Sequence, residues 1–415
     1  MPETAYRATH VLVEPGRLLR NAAVHVSSAG RFTRVESSHN GSSETGTKVV
    51  DWGSAIIMPG LINAHAHLEL TSFHNQLTRF DSFTGWISQL VSRRRLWTPD
   101  DFVSSTREGA RLSLAAGTTL VGDIASSAMG WKATFGQNLR RVVFEELLAL
   151  SPDQADPVLR QLKQRLKESE PNPLLIHGIS PHAPYTVSPD LYMRAAEEAR
   201  RHSMPLATHL AETRAELELL SSGTGEFIEF LRASGVLPQR WNPPKSAPAH
   251  YLEGLGVLGP SCILIHCNYL DQPSIDRINQ SRSHVVYCPR SHAFFGHALH
   301  PIRNLLDEGV NVALGTDSLA SNSSLSIMDE MRFLFEKRKD IGAEEIFTAA
   351  TLGGAKALGL DGRLGRLQKD YWADMTVFRL PANIKTGRLL EQILEGAGEC
   401  AATVVRGEIA WEKTA

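Results

Sequence analysis

The sequence predicts an α/β chain built as a (β/α)8 TIM-type barrel, with a small β-sandwich domain assembled from both termini. Three observations predict it. Across the middle of the chain short apolar runs alternate with helix-like stretches, and there are eight such runs. The two ends differ from that middle and resemble each other: both are short β-rich runs punctuated by glycine, without long helical patterns. The competing architecture, a doubly wound open sheet, needs a glycine-rich phosphate turn directly after a strand, and Gly254-Leu255-Gly256-Val257-Leu258-Gly259 follows none.

Taken in order, residues 8–13, 22–26 and 32–35 are the β-rich runs of the N-terminal end, punctuated by Gly16, Gly30 and Gly41. The strand candidates of the middle are 56–58, 118–121, 141–145, 174–179, 206–209, 263–266, 285–288 and 310–315. Most are separated by amphipathic stretches such as 190–202 and 274–280. The proline-rich stretch 238–248 reads as a surface excursion between the fifth and sixth strands. Residues 373–378 and 402–407 have the same β texture as the start of the chain. A chain of 415 residues exceeds the size at which one core stops growing. A composite sandwich of 1–58 plus 369–415 and a barrel of 59–368 are therefore expected.

Bulk properties remove several classes of function. A net charge of −2 gives no electrostatic reason to expect nucleic acid or an anionic membrane as partner. No window approaches the apolar length needed to span a bilayer, and Met1-Pro2-Glu3-Thr4-Ala5-Tyr6-Arg7 is no basic-then-apolar signal. The four cysteines form no C-x-x-C pair and read as reduced thiols. The expectation is a cytoplasmic enzyme with a small-molecule substrate.

A barrel of this kind builds its active site where the C-terminal ends of the strands meet. The first strand leads into Met58-Pro59-Gly60-Leu61-Ile62-Asn63-Ala64-His65-Ala66-His67. On a strand, residues i and i+2 face one side, so His65 and His67 can present two imidazoles together. Among 16 histidines a bare His-x-His can be chance, and the other strand ends decide the matter. The fifth strand ends at His209, the sixth at His266 and the eighth at Asp317. Singly, His209 or His266 reads as a hydrogen-bonded core histidine and Asp317 as a helix cap. Together, three imidazoles and a carboxylate suit a catalytic Zn²⁺ or Fe²⁺ with one position open for water. Glu212 stands three residues after His209, where a carboxylate reaches metal-bound water without binding the metal, as a general acid/base must. Its alternative is a helix-start glutamate favoured by the dipole. With three histidines and Asp317 filling the site, His266 is assigned to positioning or protonating the reacting group.

Pro59-Gly60-Leu61-Ile62-Asn63-Ala64-His65-Ala66-His67, His209-Leu210-Ala211-Glu212, His266-Cys267 and Gly315-Thr316-Asp317-Ser318 together resemble the amidohydrolase superfamily. They look like its mononuclear aminohydrolase branch, which includes cytosine, guanine and S-adenosylhomocysteine/methylthioadenosine deaminases and the triazine hydrolases. The resemblance covers almost the whole chain. It implies that His65, His67, His209 and Asp317 bind one divalent metal, Zn²⁺ with Fe²⁺ as the alternative. It implies further that Glu212 shuttles the proton and His266 orients the tetrahedral intermediate, with Asp317 doubling as a final proton acceptor. Binuclear branches carry a bridging carboxylated lysine on the fourth strand; here that strand reads Leu174-Leu175-Ile176-His177-Gly178-Ile179, without lysine. One departure is Lys369-Asp370-Tyr371-Trp372, standing where the family has a glycine turn before Ala373-Asp374. Homodimers are common in the family, but nothing in the chain marks an interface.

The implied reaction is hydrolytic deamination: hydroxide attacks an electron-poor ring carbon bearing an amino group, and ammonia leaves. Ser180-Pro181-His182-Ala183-Pro184-Tyr185 resembles the nucleoside-deaminase loop whose histidine contacts substrate, which makes His182 a substrate-binding candidate against a purely local turn role. Arg290, in Cys288-Pro289-Arg290-Ser291, suits a carboxylate or carbonyl, or locks its own loop. That loop and His67-Leu68-Glu69-Leu70, with Glu69 as a further substrate-binding candidate, resemble aminodeoxyfutalosine deaminases, whose substrate is an adenine nucleoside carrying a benzoate. The aromatic-rich segment 73–86, with Arg79 and Trp86, reads either as a lid over a planar heterocycle or as helix-packing core; packing is favoured for Trp86. The rival reactions are triazine-type dechlorination or N-dealkylation and cyclic amide hydrolysis. A metal-free non-catalytic homologue would lack ligands that all stand here.

Overall fold

The computed structural model describes residues 3–37, 47–78, 82–127, 129, 132, 133 and 136–414. Both ends of the chain build one mixed sheet. Its N-terminal strands are β1 (Thr4–Glu14), β2 (Arg17–Val26), β3 (Phe32–Ser37), β4 (Lys48–Asp51) and β5 (Ala55–Pro59). The barrel strands follow as β6 (Leu61–Ala66), β7 (Thr118–Ala125), β8 (Arg140–Leu147), β9 (Leu175–Pro181), β10 (Leu206–Leu210), β11 (Cys262–His266), β12 (His284–Tyr287) and β13 (Val312–Leu314). The chain then returns to the first sheet with β14 (Met375–Arg379), β15 (Glu399–Val405) and β16 (Glu408–Glu412).

The small domain is a β-sandwich whose strands run β16-β15-β14-β5-β1-β2-β3, with β4 beside β1. Tyr6, Val11, Val24, Phe32, Ile57, Val377 and Val404 share its apolar core. The eight parallel strands β6 to β13 pair in chain order. A parallel bridge between Ala66 and Asp317 links their two ends, where the N–H groups of Thr316 and Asp317 donate to the His65 carbonyl at 3.0 and 3.1 Å. The result is a TIM-type barrel with its helices outside.

The chain bears out the alternation, but the first strand needs a correction. Ile56, Ile57 and Met58 lie on β5, antiparallel to β14, and not in the barrel. The first barrel strand begins after Gly60, where a Cβ would stand 2.1 Å from Thr119 Oγ1. Only Pro59-Gly60 marks the switch, because β5 and β6 are buried at every position. Period-two alternation vanishes in a run buried on both faces, so the pattern cannot say which sheet it joins.

The helices fall where expected. Pro189–Arg201 starts at Ser188, whose side chain accepts from Leu191 N, and buries Leu191, Tyr192, Ala195 and Ala199. Gln272–Ser281 is capped likewise by Asp271. The two domains are joined by a buried ion pair: Arg140 on β8 donates through Nε and Nη2 to the Asp374 carboxylate at 2.9 and 3.0 Å, and its guanidinium lies 4.0 Å from the Trp372 ring centroid. That stacking gives the unusual Lys369–Trp372 turn a packing role. All four cysteines are free thiols, three of them buried. No helix among the described residues is long and apolar enough to cross a membrane.

Candidate metal centre

Backbone bends at the strand ends aim the functional side chains into the barrel mouth. Register shifts in β6 against β7 at Asn63–Ala66, and the rings of His65 and His67 meet at a centroid distance of 4.9 Å. Ala211, His266, Cys267 and Asp317 all have positive φ, of 50, 71, 53 and 59°. Left-handed backbone at non-glycine residues costs energy and clusters where geometry serves function. Gly315 is required before Asp317, since a Cβ there would come within 2.9 Å of both the Cβ and the carbonyl oxygen of His65.

Five predicted residues converge. Ligand atoms of His65, His67 and Asp317 lie within 4.8 Å of one another, and so do those of His65, His209 and His266. His65 Nε2 and His67 Nε2 stand 3.5 and 3.7 Å from Asp317 Oδ1. His209 packs against His65 and His67 at centroid distances of 5.1 and 5.6 Å. His65 is fully buried, and neither of its ring nitrogens has a hydrogen-bond partner. An orphaned buried donor or acceptor costs about 1–3 kcal/mol, so an imidazole left this way is suited to binding something else.

The surroundings tune each group. His209 Nδ1 donates to the His182 carbonyl at 2.9 Å, which leaves Nε2 as the lone-pair nitrogen facing the cluster. Ser291 and Ser321 both donate to Asp317 Oδ2 at 2.7 Å, leaving Oδ1 to the histidines. Burial alone would raise the Asp317 carboxyl, but His65, His266 and His67 outweigh it and hold the group well below its ordinary value. Burial keeps His67 and His209 neutral. Asn63 ties the first and last barrel strands together, accepting from Thr316 N at 3.1 Å and donating to Thr316 Oγ1 at 2.7 Å. Neutral imidazoles, an ionised carboxylate and orphaned His65 nitrogens are a donor set that fits one divalent transition metal.

Glu212 Oε1 lies 3.4 Å from His266 Nε2. Burial, reinforced by Asp317 and Glu216, pushes its carboxyl well above the usual range, so its affinity for a proton is raised. Glu216, itself buried, accepts from the N–H groups of Ala211 and Glu212 at 2.9 Å each, which fixes the left-handed turn that presents Glu212. His182 borders the cluster, with its ring 4.8 Å from that of His209, and its Nδ1 meets Thr186 Oγ1 at 2.7 Å.

The remaining candidates sit differently. Glu69 is buried and takes Ser126 Oγ, the Ser127 N–H at 3.1 Å and Arg94 Nη2 at 3.1 Å, so it anchors the loop after β7. The Arg290 guanidinium meets Ser323 Oγ and lies 3.8 Å from Asp329, the loop-locking arrangement. Trp86 is 7% exposed and packs with Phe73, Leu70 and Leu77, and Phe295 meets its ring at 5.0 Å. Arg79 lies outside the described residues. Ser321 and Glu216 carried no signal in sequence, because single serines and glutamates have no diagnostic spacing, and Asn63 and Ser291 stand in quoted motifs without a role assigned to them. Beside the cluster, Phe83, Trp86, Arg214, Tyr269, Phe295 and His297 line a cavity of about 640 Å³.

Four histidines, an aspartate and a glutamate meet at the C-terminal mouth of a sequential parallel barrel, a set that could hold a metal ion. The model of the amidohydrolase family matches residues 56–410, and the chain belongs to that family. It is 30% identical over 382 residues to the 5-methylthioadenosine/S-adenosylhomocysteine deaminase of Syntrophobacter fumaroxidans, covering 88% of this chain and 82% of that one. It is 30% identical over 315 residues to the aminodeoxyfutalosine deaminase of Deinococcus radiodurans, covering 74% of each. A zinc-bound adenosine deaminase from Xanthomonas campestris shares the fold, with a TM-score of 0.84 at 24% identity over 98% of this chain and 92% of that one.

Proposed function

We propose that this chain is a metal-dependent hydrolytic deaminase that removes the exocyclic amino group of an adenine-type nucleoside and releases ammonia. The observation that carries the proposal is the His65–His67–His209–Asp317 cluster with Glu212 and His266 beside it, on a chain whose relatives are named for adenine-nucleoside deamination. His65, His67, His209 and Asp317 would hold the ion, Zn²⁺ first and Fe²⁺ as the alternative. A bound divalent ion supplies Lewis acidity and a water acidified towards neutrality.

The chain's own residues do the rest. Glu212 takes a proton from the attacking water and delivers one to a ring nitrogen of the base, a role that suits a carboxyl whose proton affinity burial has raised. His266, 3.4 Å from Glu212, hydrogen-bonds the oxygen that becomes negative during attack. Asp317, held ionised by its neighbours, accepts the hydroxyl proton as the tetrahedral carbon collapses and passes it to the departing amino group, which leaves as ammonia. His182 contacts the base from the β9 side.

The cavity beside Glu212 offers aromatic planes for a flat ring. Arg214 on its wall lies over the Tyr269 ring at 4.9 Å and has no ion-pair partner among the described residues. An unpaired guanidinium favours a substituent carrying a carboxylate, such as aminodeoxyfutalosine or S-adenosylhomocysteine, over the neutral methylthioadenosine. A cytoplasmic location is part of the same proposal.

Ammonia release by the Zn²⁺-loaded protein tests the reading, with these three nucleosides, adenosine, guanine and cytosine as the panel. Turnover of an adenine nucleoside that vanishes in Glu212→Gln supports it. Silence of a metal-replete protein across the panel refutes it and turns attention to dechlorination or amide hydrolysis.

A further inference from the structure

A second polar layer lines the barrel mouth next to the cluster, and the chemistry above leaves it unused. Paired residues of parallel strands face the same side of a sheet. Phe144 pairs with Gly178 and Glu146 with Ser180 across β8 and β9. Phe144 packs inside the barrel with Ile62, Leu120, Ala207 and Ile265, so Glu146 and Ser180 face inward one layer higher. Ser126 extends the layer on the β7 side: Ala125 pairs with Glu145, and Ser126 follows level with Glu146. Its hydroxyl meets both Glu69 and Arg94.

This layer has open hydrogen-bonding capacity. Ser180 is fully buried and its Oγ has no partner. Arg94 Nε and Ser127 Oγ are also buried and unpartnered. Glu146 is half-buried, and among the described residues none donates a hydrogen bond to its carboxylate. Burial raises its carboxyl to about 7, with Arg94 opposing and Glu69 adding to the shift. The layer also borders the metal centre. Arg94 is near enough to His182 to lower its proton affinity. Glu146 is near enough to Tyr185 to raise its proton affinity, and the Tyr185 ring stands 5.6 Å from that of His182.

The charges select the ligand. An anion would meet Glu69 and Glu146, and a cation would meet Arg94. A neutral group with several hydroxyls meets neither difficulty. Two adjacent O–H donors match the two oxygens of one carboxylate, and their lone pairs serve Ser180 Oγ and Arg94 Nε. We infer that Glu146, with Ser180 and Arg94, is the receptor for the vicinal hydroxyls of the substrate's sugar, and that it sets the enzyme's preference for ribosides. This rests on the nucleoside reading proposed above. It places the sugar on the β7–β9 side of the mouth, and the aromatic cavity with Arg214 on the other.

The test measures kcat and KM of the Zn²⁺-loaded protein and of Glu146→Gln and Glu146→Ala on an adenine riboside and its 2′,3′-dideoxy counterpart. Metal content and Tm are checked for each variant, and the isosteric Gln variant serves if Ala fails to fold. Loss of hydroxyl contacts to a charged acceptor should cost the riboside about 10- to 100-fold in kcat/KM, mostly through KM, and leave the dideoxy substrate within about threefold. Wild-type protein should itself prefer the riboside by a similar factor. Equal losses on both substrates, or no preference in the wild type, overturn the assignment of Glu146. Activity on neither nucleoside in the wild type refutes the nucleoside reading, and the sugar assignment with it.

Discussion

Replacing both Ser291 and Ser321 by alanine should weaken metal binding without touching any metal ligand. Each serine donates to Asp317 Oδ2 at 2.7 Å, and both are buried. They satisfy one carboxylate oxygen so that the other faces His65 and His67 at 3.5 and 3.7 Å. A hydrogen bond to a charged group contributes about 1.5–3 kcal/mol net, so two lost bonds remove about 3–6 kcal/mol from the ionised, oriented Asp317. Rotation of the carboxylate and entry of water recover part of that. The residual loss in zinc affinity should be about 10- to 100-fold, the usual range for groups that orient a metal ligand. Competition against a chromophoric chelator reads it directly, with Tm of the metal-free protein as the control for folding. Each single variant should show a smaller loss, since the remaining serine still holds Oδ2. Unchanged zinc affinity in the double variant would refute the reasoning.

The buried Arg140–Asp374 pair, each side chain 1% exposed, should be costly to break and cheap to replace. Asp374→Ala or Arg140→Met alone should lose about 3–5 kcal/mol in chemical unfolding, whereas the apolar pair Arg140→Met with Asp374→Leu should lose less than either; additive losses would contradict this. Glu330 is fully buried, accepts Asn322 Nδ2 at 2.6 Å and Arg290 N at 2.9 Å, and burial raises its carboxyl to about 8. Between pH 4.5 and about 8 the folded chain holds a proton that the unfolded chain has released, so this contribution to stability is complete below 4.5 and is lost as pH rises through 8. Unfolding free energies measured from pH 5 to 9 should therefore fall more steeply for the wild type than for Glu330→Gln, and identical slopes would refute the assignment.

Much of the site was legible because its chemistry leaves a linear trace. A histidine pair two residues apart, a histidine followed three residues later by glutamate, and a glycine-led aspartate each stand at the end of an apolar run, so strand position and chemistry reinforced each other. The parallel barrel was legible for the same reason, since eight runs separated by helices admit few topologies. What was hidden depends on contacts between distant strands. β5 and β6 form one unbroken buried run, and only tertiary pairing assigns the first half to the small domain. Glu146 and Ser180 are 34 residues apart and become neighbours through the β8–β9 register alone. Ser291 and Ser321 meet each other and Asp317 only in the folded chain. Arg290 reads by residue type as a carboxylate receptor or a loop lock, and its neighbours Ser323 and Asp329 are set by packing that no spacing shows. Residue type states what a side chain can bind, and packing decides what it meets.

Metal stoichiometry tests the central claim most directly: elemental analysis of the purified wild-type chain and of His65→Ala after equilibration with zinc and removal of free ion. The account predicts one divalent ion per wild-type chain and none in the folded His65→Ala variant. A wild-type chain that retains no metal, or a His65→Ala chain that still binds one ion, would contradict it.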